Sequence, residues 1–161
     1  MNSKQIKALM IIGQTCSGKE TLSLQLAEYF KTDIISMDSM KIYKDMNIGT
    51  AKASVEARKK IKHHLIDIVT PEENYNISEY IRDAIPIATK IFNENRLPLF
   101  SGGTSLYAKS LYSGLFSSPE IPPEVKKEIE DEYDQDKEKV YQRLMEVDPI
   151  ACKKIHLNDR Q

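Results

Sequence analysis

Three short stretches carry side chains and backbone that could do chemistry. Gly13-Gln14-Thr15-Cys16-Ser17-Gly18-Lys19 fits the first seven positions of a phosphate-binding loop. Glycines let such a loop curl so that successive N–H groups face phosphate oxygens, and the lysine adds a mobile cation for the terminal phosphate. The next position usually holds a Ser or Thr hydroxyl that ligates Mg²⁺; here it is Glu20, with Thr21 one place later. One residue of helix turns a side chain by about 100°, so Glu20 and Thr21 both stay open as metal ligands. Asp38, followed by Ser39, Met40 and Lys41, is a candidate general base or metal ligand. The alternative reading is an Asp that caps the turn after it. Ser101-Gly102-Gly103-Thr104 is a second glycine turn whose amides and hydroxyl could face the same ligand.

Those residues need a scaffold that brings them to one place. Lys7 to Ile12 is an apolar run ending at a glycine, as a buried parallel strand does. Gly18 to Phe30 has a helical pattern, Asp33 to Met37 reads as a second strand, and Leu65 to Val69 as a short strand or extended loop. Ile77 to Glu94 is helical, with Pro86 expected to kink or restart it. Leu97 to Phe100 is a further strand and Thr104 to Ser113 a further helix. Strands alternating with helices predict an α/β fold, a P-loop NTPase-like parallel sheet flanked by helices. In such sheets ligands bind beyond the C-terminal ends of the strands, which is where all three stretches fall.

After Gly114 the composition changes. A Ser- and Pro-containing loop leads into Glu124 to Glu146, a charged helix-forming stretch with Val125, Ile129, Tyr133, Val140 and Leu144 as a thin apolar stripe. It reads as a helical appendage whose stripe packs on the core or on a partner helix. The basic residues Lys52, Arg58, Lys59, Lys60 and Lys62 fit phosphate contacts or a solvated helix face about equally well. The adjacent His63 and His64 cannot share one helix face as a metal pair would, so they read as loop or packing residues.

The 161 residues, 40% apolar and 29% charged, suit a soluble globular protein, and the expected compartment is the cytoplasm. No apolar run approaches the roughly 20 residues of a membrane span. Cys16 and Cys152 form neither a metal-ligand spacing nor a disulfide framework. A net charge of −1 gives no hint of a nucleic-acid partner.

Taken in order, the blocks resemble the tRNA dimethylallyltransferases, also called tRNA delta(2)-isopentenylpyrophosphate transferases. The resemblance is carried by Gly13 to Lys19, by Ile34-Ile35-Ser36-Met37-Asp38-Ser39-Met40, and by Tyr43 to Lys52. It runs on through His63-His64-Leu65-Ile66-Asp67-Ile68, Arg82-Asp83-Ala84, Gly102-Gly103-Thr104 with Leu106-Tyr107, and Val147-Asp148-Pro149 to Asn158-Asp159. It implies that dimethylallyl diphosphate sits with its diphosphate on Gly13 to Glu20, and that adenosine 37 of a tRNA anticodon stem-loop is flipped into the cleft. It implies Asp38 as the base that takes a proton from N6, with Lys19 and Thr104 as the other catalytic residues and Mg²⁺ as cofactor. Asp38, Ser39, Met40, Lys41, Thr104, Lys126, Asp159 and Gln161 match positions that touch tRNA.

Gln14 and Lys41 replace a usual proline and a frequent Gln. Family members are considerably longer, so the chain reads as an N-terminal half that turns over poorly alone. The expected organisation is a core over 1–115, a helical insertion over 116–157 and the start of a return to the core at 158–161, in a monomer. A P-loop kinase of a nucleotide or small metabolite is the rival reading, and a non-catalytic fragment that binds diphosphate or tRNA is the other. Against the kinase stands the Asp38 to Lys52 block.

Overall fold

The computed structural model describes residues 6–115 and 121–159. The chain divides into two compact units, Met1–Leu115 and Phe116–Gln161. In the first, strands β1 (Leu9–Ile12), β2 (Ile34–Ser36), β3 (His63–His64) and β4 (Leu99–Gly102) form a wholly parallel sheet in the order β1-β4-β2-β3. Helices α1 (Lys19–Tyr29), α2 (Val55–Lys60), α3 (Ile77–Asn93) and α4 (Ser105–Ser113) connect and cover it. The expected α/β class is therefore what the chain adopts.

Strand alternation decides which helix each residue meets. Leu9, Ile11, Ile34 and Leu99 pack with Ala27, Leu24 and Leu26 of α1. Their neighbours Met10, Ile35 and Phe100 face Tyr80, Ala84, Ala88 and Ile91 of α3 and Tyr107 and Ala108 of α4. The aromatic rings of Tyr80 and Tyr107 stack with centroids 3.9 Å apart and planes 11° from parallel, joining α3 to α4. The small Ala84 and Ala88, both buried, let α3 lie close to the sheet.

Two expectations about elements are corrected, a restart of the helix at Pro86 and loop or packing roles for His63 and His64, while of the two readings of Leu65 to Val69 the loop holds. Helix α3 runs unbroken from a capping box of Asn76 and Glu79 through Pro86. Pro86 is exposed, so the backbone bond it cannot make falls on the solvent side and the buried face carries the helix through. Leu65 to Val69 is a loop, with Leu65 and Asp67 at positive φ and a single parallel bridge from Val69 to Tyr43. The strand there is His63–His64 instead, paired with Ile34 and Ile35.

In the second unit the charged stretch is two main helices and a short third: α5 (Pro123–Gln135), α6 (Lys137–Val147) and α7 (Pro149–Cys152). The helix-forming stretch is interrupted at Asp136, whose φ of −154° leaves the helical region and whose carboxylate accepts the Lys139 N–H at 3.0 Å, an N-cap for α6. The apolar stripe of α5 and α6 lines one groove of about 470 Å³, with Ile155 and Leu157 completing it. Tyr133 and Tyr141 fasten the chain after α7 by donating to the carbonyls of Leu157 and of Cys152 and Ile155.

At the N-terminal edge of the sheet Asp33 accepts from Arg96 at 2.7 Å and faces His64 at 2.9 Å. Burial works to raise the Asp33 pKa, and the hydrogen bonds from Arg96 and His64 outweigh it, leaving the carboxyl below its ordinary 3.8. A folded pKa below the unfolded one stabilises above the unfolded value, and that contribution disappears as pH falls through the folded value. Urea midpoints measured between about pH 2 and pH 7 are expected to show Asp33→Asn less stable than wild type at neutrality, with a shallower loss of stability below about pH 4.

Candidate functional site

Three strand ends and the turns after them meet at the C-terminal edge of the sheet. Gly13, after β1, donates to the Gly102 carbonyl at 3.4 Å. Met37, after β2, donates to Ser101 of β4 at 2.8 Å and accepts from the Thr104 amide at 3.1 Å. A β-carbon at residue 102 would lie 2.0 Å from the Met37 carbonyl oxygen, so β2 and β4 can approach this closely only over a glycine. One at residue 103 would lie 3.3 Å from the Gly13 carbonyl oxygen and 4.0 Å from Lys19 Nζ. The second glycine turn therefore lies against the phosphate loop, as its place in the sequence suggested.

Within that loop Cys16 has φ 64° and Gly18 φ 81°, two left-handed residues that fold the chain back before α1. Gln14, Thr15, Cys16, Ser17 and Gly18 are exposed, and Lys19 Nζ donates to the Gln14 carbonyl at 2.8 Å. No side chain caps the start of α1, so its first N–H groups and the helix dipole are available to an anion.

Asp38 performs the bland role set beside its catalytic one. Its Oδ1 accepts the N–H groups of Met40 at 3.0 Å and Lys41 at 3.4 Å, closing the turn after β2. The turn also fixes the carboxylate beside the cleft. Thr104, the N-cap residue of α4, accepts the Ser39 N–H on Oγ1 at 3.0 Å and donates to Ser39 Oγ at 3.4 Å. Asp38, Met40 and Thr15 line one cleft of about 590 Å³, closed on its far side by Asp45 to Thr50. Sequence reasoning did not assign that second wall to the site. Its signal was the run Asn47-Ile48-Gly49, all three exposed, with Ile48 96% exposed.

Lys52 and Arg58 are not part of a free basic face. Lys52, with a side chain only 2% exposed, bonds to Asp67 at 2.6 Å and to the Tyr43 carbonyl, and Arg58 bonds to the other Asp67 oxygen at 2.5 Å. Burial acts to raise the Asp67 pKa, but these two cations hold it below its ordinary value. They brace the loop behind the cleft, while Lys59, Lys60 and Lys62 remain exposed. His63 and His64 are corrected from loop residues to the sheet-edge strand β3.

The resemblance implies a divalent cation, and the residues present do not fit the usual hydroxyl ligand. Glu20 binds the Lys41 ammonium at 2.7 Å, and Thr21, a third of a turn further round α1, is exposed. Among the described residues no group of three or more His, Cys, Asp or Glu is placed to hold a metal ion.

Lys126 and Asp159 belong to the second unit, where both line the apolar groove, with Lys126 Nζ 3.9 Å from Glu130. Gln161 lies outside the described residues. Among the described residues no helix is long and apolar enough to cross a membrane.

A family model described as IPP transferase matches residues 41–161; the phosphate loop and Asp38 precede that segment. The tRNA dimethylallyltransferase of Desulfotalea psychrophila is 43% identical over 152 residues, which are 94% of this chain and 48% of the relative. That of Dictyoglomus turgidum is 42% identical over 96% of this chain and 48% of its own. Among solved structures, the full-length tRNA isopentenylpyrophosphate transferase of Bacillus halodurans superposes with a TM-score of 0.68 at 32% identity, covering 97% of this chain and 52% of that one. A eukaryotic dimethylallyltransferase acting on tRNA gives a TM-score of 0.83 at 29% identity, over 97% of this chain and 39% of that one. The chain thus spans about half the length of the curated relatives it matches.

The Thr104–Ser39 bond predicts a measurable coupling between β4 and the Asp38 turn. Thr104→Val leaves the Ser39 amide without its acceptor and is expected to cost about 1–3 kcal/mol in urea denaturation. Thr104→Ser, which keeps the hydroxyl, is expected to retain most of that stability.

Proposed function

Because this chain belongs to the IPP transferase family, we propose that the protein moves a dimethylallyl group from dimethylallyl diphosphate to the N6 amine of an adenosine in a tRNA anticodon loop. The observation that carries this reading is the convergence of the phosphate loop, the Asp38 turn and Thr104 at one sheet edge. An anion-binding loop beside a fixed carboxylate suits a reaction that pairs a diphosphate leaving group with removal of a proton.

In the reaction, the N6 lone pair attacks C1 of the prenyl group while the C1–O bond to diphosphate breaks. The amine proton goes to Asp38, which is held at the cleft by the Met40 and Lys41 amides. The diphosphate oxygens, gaining charge, are held within the Gly13 to Glu20 loop by amides after Gly13, whose own N–H goes to Gly102, by the α1 N-terminus and by Lys19. The target base leaves its stack to reach C1, and the cleft between Thr15 and the Asp45 to Thr50 wall receives it. Thr104 positions the Asp38 turn through Ser39, and Ser39, Met40 and Lys41 lie along the nucleic-acid side. Lys126, Asp159 and Gln161 are assigned tRNA contacts. No step is routed through Mg²⁺, given the engagement of Glu20 by Lys41. The protein is assigned to the cytoplasm, as a monomer.

The test is transfer of radiolabel from dimethylallyl diphosphate to an anticodon stem-loop. Labelled RNA is expected, with Asp38→Ala reducing the rate by about 10²–10⁴-fold, the usual worth of a general base. Equal labelling by the variant would remove Asp38 from its role. Consumption of ATP with phosphorylation of a small acceptor would favour the kinase reading instead.

A further inference from the structure

Glu20 and Lys41 come from separate segments, the first turn of α1 and the turn after β2, yet their charged atoms lie 2.7 Å apart. The Lys41 side chain is 12% exposed and that of Glu20 is 39% exposed, so the contact is shielded on the lysine side. Glu20 and Lys41 line, with Ser23, Ser36, His63 and Ser101, a small cavity of about 20 Å³. Burial holds the His63 pKa below its ordinary value, and the ring Nδ1 lies 2.8 Å from the Ile61 carbonyl. Lys41 is the cation bonded to Glu20 there. Its backbone N–H also points at Asp38 Oδ1, so one residue touches both the helix that begins the phosphate loop's anion site and the carboxylate across from it.

A carboxylate at the residue after the loop lysine is unfavourable for a polyphosphate site, because it repels the anion the loop attracts. Lys41 neutralises it. We propose that Lys41 is a positioning residue: paired with Glu20, it cancels the carboxylate that stands in place of the usual hydroxyl, and ties the Asp38 turn to the phosphate loop. This rests on the reading of Gly13 to Glu20 as a diphosphate site, and it deepens that reading. The acid and the base act as one neutral unit, so losing Lys41 alone, which leaves the carboxylate unpaired beside the loop, is worse for an anion than losing both.

The experiment is calorimetric titration of the chain with inorganic pyrophosphate, in wild type, Glu20→Gln, Lys41→Gln and the double variant. Lys41→Gln is expected to weaken binding by about tenfold, from one unbalanced negative charge near the loop. The Glu20→Gln/Lys41→Gln protein is expected to recover to within about threefold of wild type, a rescue that general damage to the fold would not produce. Wild-type affinity in Lys41→Gln, or a double variant as weak as Lys41→Gln, overturns the proposal. Absence of pyrophosphate binding in wild type would count against the diphosphate site instead. The tie is then decided by amide chemical shifts of Ser39 and Met40, which move in Glu20→Gln if the pair holds the turn and stay fixed if it does not.

Discussion

The contact on which the site depends is the passage of the Met37 carbonyl over Gly102. With room for no β-carbon at residue 102, β2 and β4 draw close enough at their ends for Met37 to bond Ser101 on one side and Thr104 on the other. Asp38 follows Met37 directly, and Gly103 follows Gly102, so the same contact fixes the carboxylate turn and the second glycine turn together. Gly13 bonding to Gly102 brings the phosphate loop to the same spot. Three segments distant in sequence thus meet through backbone bonds around one close approach.

Polarity is graded along the α1 face of the sheet in a way that serves this arrangement. Its lower layer is apolar, with Ile34, Leu99 and Ala27 all nearly fully buried. One strand step higher, Ser36 and Ser101 replace the large side chains, and Ser23 of α1 bonds to Ser101 at 2.6 Å and to the Lys19 carbonyl at 2.6 Å. Small hydroxyl side chains let the start of α1 lie against the strand ends; Ser23 and Ser101 satisfy each other there, while Ser36 Oγ is buried without a hydrogen-bond partner. On the opposite face bulk continues upward through Tyr80 and Tyr107. The result is a rigid support under Asp38 and Thr104 and a polar floor under the phosphate loop.

Much of this was legible in the residues. Apolar runs ending at glycines located β1 and β4, and the glycine pattern marked the phosphate loop, because both signals are local. His63–His64 was missed as a strand because two polar residues show no alternation; pairing with Ile34 and Ile35 makes it one. Pro86 was read as a kink or restart because propensity ignores that the ring falls on the solvent side of a helix anchored by Tyr80, Ala84, Ala88 and Ile91. The Asp136 stop was hidden inside a run of helix-forming charges. Above all, the approach of Lys41 to Glu20 depends on the turn after β2 folding back toward α1, and nothing in either local sequence announces it. The departure of Glu20 from the usual pattern was visible at once; the partner that accommodates it was not.

The central claim, that a diphosphate binds where these strand ends meet, is tested most directly by titrating ¹⁵N-labelled chain with inorganic pyrophosphate and following the backbone amides. The account predicts saturable shifts concentrated at Gly13 to Glu20 and at Gly103 and Thr104, with smaller changes at Ser39 and Met40. Shifts confined to residues outside that edge of the sheet, or none at millimolar pyrophosphate in a folded sample, would contradict it.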